Sequence, residues 1–370
     1  MADTGAALAP HIRVAQILLP CPDLAAELAF FTGKLGFKVA MIMPADAPAL
    51  AVINGHGVTL RLEQQKTRSN QTPLTLRLLC DADALGGARA FTAPGGTRIE
   101  LVPVQNPITI PDGTNEFVQT RMNADWGIGR AGMQYRDLIP SRLGGRFIAS
   151  HIRIPNGGPV PDYVHFHKIR FQMIFCKAGW TRLVYEDQGD EFILEAGDCV
   201  LQPPEIRHRV LEASAGLEVI EIGCPAVHET FADQAMELPT GRNLPKRDFG
   251  GQRFVRHIAK DARWSKWPTL KGDGFDSRDL GIADATDGLA GVRVVRAAGA
   301  ARTAPAAHKA EFFFLFILNG ALELESAKLG NHALNEGDCC VLPAGTTFAL
   351  HTAAGTEFLE VALPADLPLV

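Results

Sequence analysis

The feature that most constrains the fold of this 370-residue chain is a short internal repeat. The segment 197–203, Gly-Asp-Cys-Val-Leu-Gln-Pro, matches the segment 337–343, Gly-Asp-Cys-Cys-Val-Leu-Pro. In both copies a Gly-Asp turn leads into a short apolar run that ends at proline, which is typical of a strand between two turns. Internal similarity of this kind indicates two copies of one structural unit.

Short strand patterns surround both copies of the repeat. From residue 146, and again from residue 291, runs of β-branched and aromatic residues alternate with Gly, Pro and Asp turns. This pattern is typical of an all-β sandwich or barrel. We therefore predict a mainly β protein with one barrel over 146–230 and a second over 291–370. Residues 106–145, interrupted by proline and glycine, are predicted as a connector, and residues 231–290 as a crossover between the barrels.

Three histidines in the first predicted barrel form a candidate metal site. His165 and His167 lie two positions apart, so on a strand their side chains point to the same face. His208 follows the Gly-Asp turn and a proline pair in the same barrel. Neutral imidazoles suit divalent first-row metals, so the pattern predicts a metal site. The alternative is three histidines that only pack and form hydrogen bonds.

These residues resemble the two sequence motifs of the cupin superfamily. The residues that match the motifs are Gly158, His165, His167, Gln172, Gly179, Gly197, Pro203, Glu205 and His208. The resemblance implies a bicupin, with two double-stranded β-helix (jelly-roll) barrels. Gln172 stands where the family has a glutamate, and Glu205 where it has a glycine. Gln172 can still coordinate through its amide oxygen, or orient a water, but it brings no charge.

The second barrel lacks the ligand set. The positions that correspond to His165, His167, Gln172 and His208 are Ala306, His308, Phe313 and Phe348. One histidine beside two phenylalanines cannot hold a metal, so we expect this barrel to support folding or dimerisation.

Residues 1–105 form a separate predicted α+β unit. Asp23 is a plausible N-cap for a helix over 24–35 that ends at Gly36, and short strands follow it. The phrase Asp-Leu-x5-Phe-Phe-x3-Leu-Gly-Phe at 23–37 resembles the βαβββ module of the vicinal-oxygen-chelate, or glyoxalase, superfamily. That resemblance implies ligand positions at Gln16 and Glu100, but only one convincing module is present, so we expect a binding or packing role without a metal. A second helix is predicted over 82–91.

The resemblance to cupins implies a function. We expect a metal-dependent dioxygenase that cleaves a small chelating substrate, such as a hydroxylated aromatic acid or a 1,3-dicarbonyl. The implied metal ligands are His165, His167, His208 and Gln172, with Fe(II) as the expected ion and Zn(II), Ni(II) or Mn(II) as alternatives. The candidate catalytic residues are Gln172, Arg170 and Tyr163; Arg170 or Arg153 would pair with a substrate carboxylate, and Tyr163 and Trp180 would line the mouth. A non-enzymatic small-molecule-binding protein and a metal-dependent isomerase stay open, because one fold hosts all three.

Composition narrows the choice of partners. The net charge is −5 at pH 7 with no long basic run, which favours neither nucleic acid nor an anionic membrane surface. No apolar stretch is long enough to span a bilayer, and residues 1–10 lack the features of a signal peptide. The seven cysteines are scattered without a CxxC pair, which fits a reducing cytosol. We therefore expect a cytoplasmic protein, and the resemblance implies a homodimer.

Overall fold

The computed structural model describes residues 14–44, 47–65, 74–81, 89–104, 107–129 and 132–370. The chain divides into two compact units, Met1–Pro107 and Ile108–Val370. In the described ranges, no helix has the length and apolar character needed to cross a membrane. Residues 1–10, where we expect no signal peptide, lie outside these ranges.

The first unit begins with a βαβββ arrangement, as predicted. Its elements are β1 (Ile17–Cys21), helix α1 (Leu24–Ala29) with a π-helical turn (Phe30–Lys34), β2 (Lys38–Met43), β3 (Leu50–Gly55) and β4 (Val58–Gln64). The Asp23 carboxylate accepts a hydrogen bond from the Ala26 N–H at 3.0 Å, so the predicted N-cap is confirmed. The sheet order is β1-β4-β3-β2, with β1 parallel to β4. The likeness of this unit to glyoxalases stays a prediction.

A second sheet completes this unit. It contains β5 (Thr75–Cys80), β6 (Ala90–Thr92) and β7 (Arg98–Pro103), with β5 parallel to β7. The helix predicted over 82–91 falls mostly on residues 82–88, which lie outside the described residues, and its last part is wrong because Ala90–Thr92 pairs with β7 as a strand. Gln16 is exposed, and Glu100 forms an ion pair with Arg98 at 3.0 Å.

Two sheets form the first barrel of the second unit. The strands from β8 to β21 are β8 (Val118–Thr120), β9 (Gly127–Ile128), β10 (Gln134–Asp137), β11 (Ile148–Ile154), β12 (Gly158–Pro159), β13 (His165–His167), β14 (Phe171–Ala178), β15 (Trp180–Tyr185), β16 (Phe192–Glu195), β17 (Cys199–Leu201), β18 (His208–Ala213), β19 (Leu217–Cys224), β20 (Thr230–Ala232) and β21 (Val255–His257). One sheet has the order β21-β17-β14-β19-β11-β10-β9. The other has the order β16-β15-β18-β13-β20, with β12 paired to β18. The remaining strand, β8, belongs to the sheet of the second barrel.

The second barrel is one curled sheet. Its elements, after a 3₁₀ turn (Ala259–Asp261), are β22 (Ser265–Lys266), β23 (Gly272–Asp279), helix α2 (Ile282–Ala285), β24 (Gly291–Thr303), β25 (Phe312–Asn319), β26 (Ala321–Ser326), β27 (Gly330–Asn335), β28 (Cys339–Val341), β29 (Ala349–Thr352) and β30 (Thr356–Leu363). The long strand β24 pairs with β30 along its first half and with β29 near its end, so it joins both faces of the barrel. The predicted fold class, mainly β with two barrels and an α+β unit before them, is confirmed.

The predicted connector and crossover contribute strands to both barrels. β8 pairs with β28 of the second barrel, and β10 pairs with β11 of the first. β21 pairs with β17, and β23 pairs with β24. Such short strands depend on their partners for stability, because a few residues alone carry little β propensity.

Alternation along β14 and β25 explains where the cores lie. Phe171, Met173 and Phe175 belong to a core that both barrels share, and the residues between them face the first barrel's interior. The Phe147 and Phe312 rings stack in this shared core with centroids 4.1 Å apart. Strand side chains alternate faces, so β14 places every second residue in the barrel and the others against the neighbouring barrel.

Candidate metal centre

A cavity of about 440 Å³ lies inside the first barrel. Most of its wall is apolar and comes from inward-facing residues of β11, β14, β15 and β19, such as Ile152, Ile174, Leu183 and Val219. The wall also contains polar side chains. A mostly apolar cavity with a few convergent polar groups is the usual form of a small-molecule site.

The three predicted histidines meet in the cavity wall. His165 on β13 lies directly opposite His208 on β18, and their ring centroids are 4.2 Å apart. His167 lies on the same face as His165, two residues along β13. One ring nitrogen of each histidine lies within 4.8 Å of those of the other two. His165 and His208 are buried, whereas His167 is half-buried.

Hydrogen bonds at Nδ1 orient these rings. His165 Nδ1 lies 2.8 Å from the carbonyl oxygen of Tyr163, and His208 Nδ1 lies 3.0 Å from that of Ile206. A carbonyl oxygen only accepts, so in each neutral ring Nδ1 carries the proton and the lone pair is on Nε2. His167 Nδ1 lies 2.8 Å from the Thr230 hydroxyl. Metal-bound histidines are usually held in this way, so the donor set fits a divalent first-row metal.

Gln172, which stands where the cupin motif has a glutamate, contacts a carboxylate on the neighbouring strand β19. Gln172 is buried, and its Nε2 donates to Glu221 Oε1 at 2.6 Å. The amide nitrogen therefore faces Glu221, and the amide oxygen is turned away from it. Both side chains line the cavity.

The second motif departure, at Glu205, keeps the backbone of the glycine it replaces. Glu205 has a φ of 61°, in the left-handed region that glycine adopts most easily. Its N–H donates to the carbonyl oxygen of His167 at 3.0 Å, so this turn supports the strand that carries two of the histidines.

The other predicted site residues do not line the cavity. Arg170 forms an ion pair with Glu311 of the second barrel at 2.6 Å, and Tyr163 is 43% exposed, with its ring 5.9 Å from that of His165. Arg153 lies over the Trp126 ring at 4.0 Å, because on β11 its neighbours Ile152 and Ile154 take the inward positions. Trp180 is absent from the wall as well.

Several polar residues of the wall are ones that the sequence motifs do not mark. They are Asp137, Arg142, Ser150, Gln202, Glu221 and His228. Arg142 is the only lysine or arginine in the described wall, and it forms an ion pair with Asp137 at 3.2 Å. The His228 ring lies 5.3 Å from that of His167. Arg142 and His228 lie in irregular segments outside both motifs, and only the alternation of β19 gave a signal for Glu221.

The second barrel has a packed interior at the matching positions. Phe313 and Phe348 are buried in its core. His308 Nε2 donates to the carbonyl oxygen of Leu342 at 3.1 Å, and its Nδ1 accepts from the Ala310 N–H at 3.2 Å. Burial lowers the pKa of His308, which keeps the ring neutral. Within the described residues, the three histidines of the first barrel are the only group of three ligating side chains close enough to share a metal ion.

Comparison with known structures places the fold. The crystal structure of salicylate 1,2-dioxygenase from Pseudaminobacter salicylatoxidans aligns with a TM-score of 0.51 at 14% identity, over 68% of this chain and 86% of that one. Oxalate decarboxylase from Lactobacillus farciminis, solved as a formate complex, aligns with a TM-score of 0.49 at 15% identity, over 72% of this chain and 90% of that one. No protein-family model and no curated protein matches the sequence. The chain has the cupin fold with two barrels, and identities this low bear on the fold alone.

Proposed function

We propose that this protein is a metal-dependent dioxygenase, with its active site in the first barrel. The observation that carries the proposal is the trio of His165, His167 and His208 in the wall of a cavity large enough for a small molecule. Because Nδ1 of each ring is held by an outer group, the three Nε2 atoms are the expected ligands of one ion. Fe(II) is the expected ion, and when bound it would supply O₂ activation and Lewis acidity.

The donor set favours an anionic chelating substrate. Three imidazoles and the Gln172 amide are neutral, so an ion bound there keeps its full positive charge. A hydroxylated aromatic acid or a 1,3-dicarbonyl enolate offers two oxygens and a negative charge to such an ion. The cavity of about 440 Å³ lies in the size range typical of small-molecule sites.

Arg142 is the residue we assign to a substrate carboxylate, in place of the predicted Arg170 and Arg153. Arg142 lines the cavity, and its ion pair with Asp137 is partly solvent-exposed and therefore weak. A guanidinium binds a carboxylate through two parallel hydrogen bonds, so this contact would orient the substrate as well as attract it. Similarity of fold to a salicylate 1,2-dioxygenase supports a hydroxybenzoate as the first substrate to test.

The test begins with elemental analysis of protein purified without a metal-affinity tag, beside His167→Ala. The matched control is His351→Ala, which removes a part-exposed histidine of the second barrel outside the cavity. We expect about one iron per chain in the wild type and the control, and a loss in His167→Ala. Absence of metal after anaerobic Fe(II) loading would overturn the proposal.

Oxygen consumption by the iron-loaded protein then separates the function classes. A panel of hydroxybenzoates, the matching phenols without a carboxylate, and 1,3-diketones tests both substrate classes. We expect O₂ uptake with one class and none in His167→Ala. Tight metal binding with turnover but no O₂ uptake would indicate an isomerase, and metal binding without turnover a binding protein.

Three further predictions from the sequence concern features outside the candidate metal centre, and they stay predictions. They are the homodimer, the cytoplasmic location, and a binding or packing role for the glyoxalase-like first unit.

A further inference from the structure

The two barrels carry an inward carboxylate at the same strand position. Ile174 pairs with Glu221 across β14 and β19, and Leu315 pairs with Glu360 across β25 and β30. Gln172 and Phe313 each stand two residues before these positions, so Glu221 and Glu360 are equivalent. The repeated fold therefore keeps this carboxylate in the barrel that has the histidine trio and in the barrel that lacks it.

The partners of the two carboxylates differ. Glu360 accepts hydrogen bonds from the Trp267 indole at 2.9 Å and the Thr269 hydroxyl at 2.7 Å, and Arg293 Nη1 lies 3.3 Å away. Arg293 lies directly opposite Glu360 on the neighbouring strand, and the residue opposite Glu221 is Ser150. In the first barrel the arginine is thus replaced by a serine, and the described partner of Glu221 is the Gln172 amide.

We propose that Glu221 is a positioning residue that turns the Gln172 amide oxygen toward the histidine trio. The proposal rests on the proposed metal site, which it makes more specific: three imidazoles and one neutral oxygen held by a carboxylate behind it. Only one orientation of the amide lets Nε2 donate to Glu221, so the carboxylate fixes which atom of Gln172 faces away from it. The cupin motif has a carboxylate at position 172, among the metal ligands. In this chain that position holds the Gln172 amide, and the carboxylate is on Glu221, which contacts the amide.

Substitution of Glu221 separates orientation from charge. In Glu221→Gln the new amide oxygen can still accept from Gln172 Nε2, whereas in Glu221→Leu nothing can. We expect Glu221→Leu to lower the affinity for Co(II) about 10- to 100-fold, the range typical for loss of an outer-shell partner, and Glu221→Gln to stay within about threefold of wild type. Equal losses in both variants, or no loss in Glu221→Leu, would overturn the proposal.

Exchanging the two side chains is the sharper test. The double variant Gln172→Glu/Glu221→Gln keeps the net charge and the hydrogen bond, but places the carboxylate at the motif position. We expect it to bind Co(II) more tightly than wild type, with a changed visible spectrum because an anionic ligand replaces a neutral one. An affinity and spectrum like those of the wild type would show that residue 172 does not face the ion.

A measurement without metal tests the positioning role of Glu221 separately from the proposed metal site. Hydrogen exchange of the Gln172 side-chain amide, assigned by its loss in Gln172→Leu, is expected to be slow in wild type and Glu221→Gln and fast in Glu221→Leu. Wild type that binds no Co(II) would overturn both the proposed function and this inference. Wild type that binds Co(II) with no effect of Glu221→Leu on affinity or exchange would overturn the inference alone. Thermal melting of each variant checks that the barrel stays folded.

Discussion

The two barrels of this chain share a strand register and differ in what fills them. In the first, His165, His208 and Gln172 line a cavity of about 440 Å³. In the second, the matching positions hold an alanine and two buried phenylalanines, and the interior is packed. A barrel interior is either filled by side chains or left as a cavity with polar groups, and a few residues decide between the two. The comparison teaches that the repeat determines the architecture, whereas those residues determine whether a site exists.

The largest expected effect, on metal binding, comes from placing a residue of the second barrel at the matching position of the first. His208→Phe introduces the residue that stands at position 348 and removes one imidazole from the trio. We expect loss of stoichiometric metal, an effect larger than the about 10- to 100-fold caused by losing an outer-shell partner. Metal analysis after equilibrium dialysis measures it. Full retention of metal in a folded His208→Phe variant would place the metal elsewhere.

The next effect tests the packed interior of the second barrel. Phe313→Ala removes a fully buried ring, and we expect the free energy of unfolding to fall by about 3–5 kcal/mol. Gln172→Ala, at the matching position of the first barrel, borders an existing cavity and should cost less. Denaturant unfolding of both variants gives the comparison. A larger loss for Gln172→Ala would mean that the first barrel depends on its polar pair for stability.

A smaller effect concerns substrate selectivity in the first barrel. Arg142→Leu removes the only cation in the described part of the cavity wall. A hydrogen bond to a charged group contributes about 1.5–3 kcal/mol, so we expect hydroxybenzoate binding to weaken about 10-fold or more. Binding of the matching phenol should change little. Calorimetric titration of both ligands measures the difference, and Arg170→Leu is the matched control outside the cavity. Equal weakening for both ligands would remove Arg142 as the carboxylate partner.

The smallest effect concerns a charged network beside the shared core. Hydrogen bonds from His151 and Lys177 lower the pKa of Glu218 to about 2, and burial lowers the pKa of His151. Arg136 donates to His151 Nδ1 at 2.9 Å and to the carbonyl oxygen of Gly337 in the second barrel at 2.7 Å. The network therefore joins the two barrels.

The lowered pKa values of Glu218 and His151 both make the protein less stable as the pH falls. Glu218 titrates near 4.5 when unfolded and near 2 when folded, so its stabilisation is complete above pH 4.5 and is lost as the pH falls toward 2. His151 adds a loss below its ordinary value of 6.5, because the unfolded chain binds a proton that the buried ring does not. We expect Glu218 to contribute about 1–2 kcal/mol after allowance for its partial exposure. Denaturant unfolding between pH 7 and pH 3 should show a shallower loss in Glu218→Gln, and an unchanged slope would contradict this assignment.

Much of the fold followed from local patterns in the sequence. The βαβββ order followed from the Asp23 cap and the helix that ends before Gly36, since caps and periodicity act over a few residues. The strands of the predicted connector and crossover were missed, because each is two to eight residues long and gains its stability from pairing with another strand. The helix predicted near residue 90 was wrong at its end for the same reason, since Ala90–Thr92 gains its structure from β7.

Some residues of the candidate site could be predicted from the sequence, and others could not. The spacing of His165 and His167, with His208 after the repeated turn, indicated a cluster because strand alternation and a shared fold fix those three positions. Arg170 and Tyr163 lie close to the motif histidines in sequence, yet proximity in sequence does not decide which way a side chain faces, and their catalytic roles stay predictions. Arg142 and His228 reach the cavity from segments without periodicity, so nothing local marked them.

The sequence by itself determined the two-barrel architecture and the convergence of three histidines, because a repeat and a two-residue alternation are properties of the chain order. Only the tertiary structure decided which carboxylate accepts the hydrogen bond of Gln172, because Glu221 and Gln172 lie on two paired strands and are 49 positions apart in sequence. It also decided that one interior is open and the other filled, since that depends on how side chains from distant strands pack together.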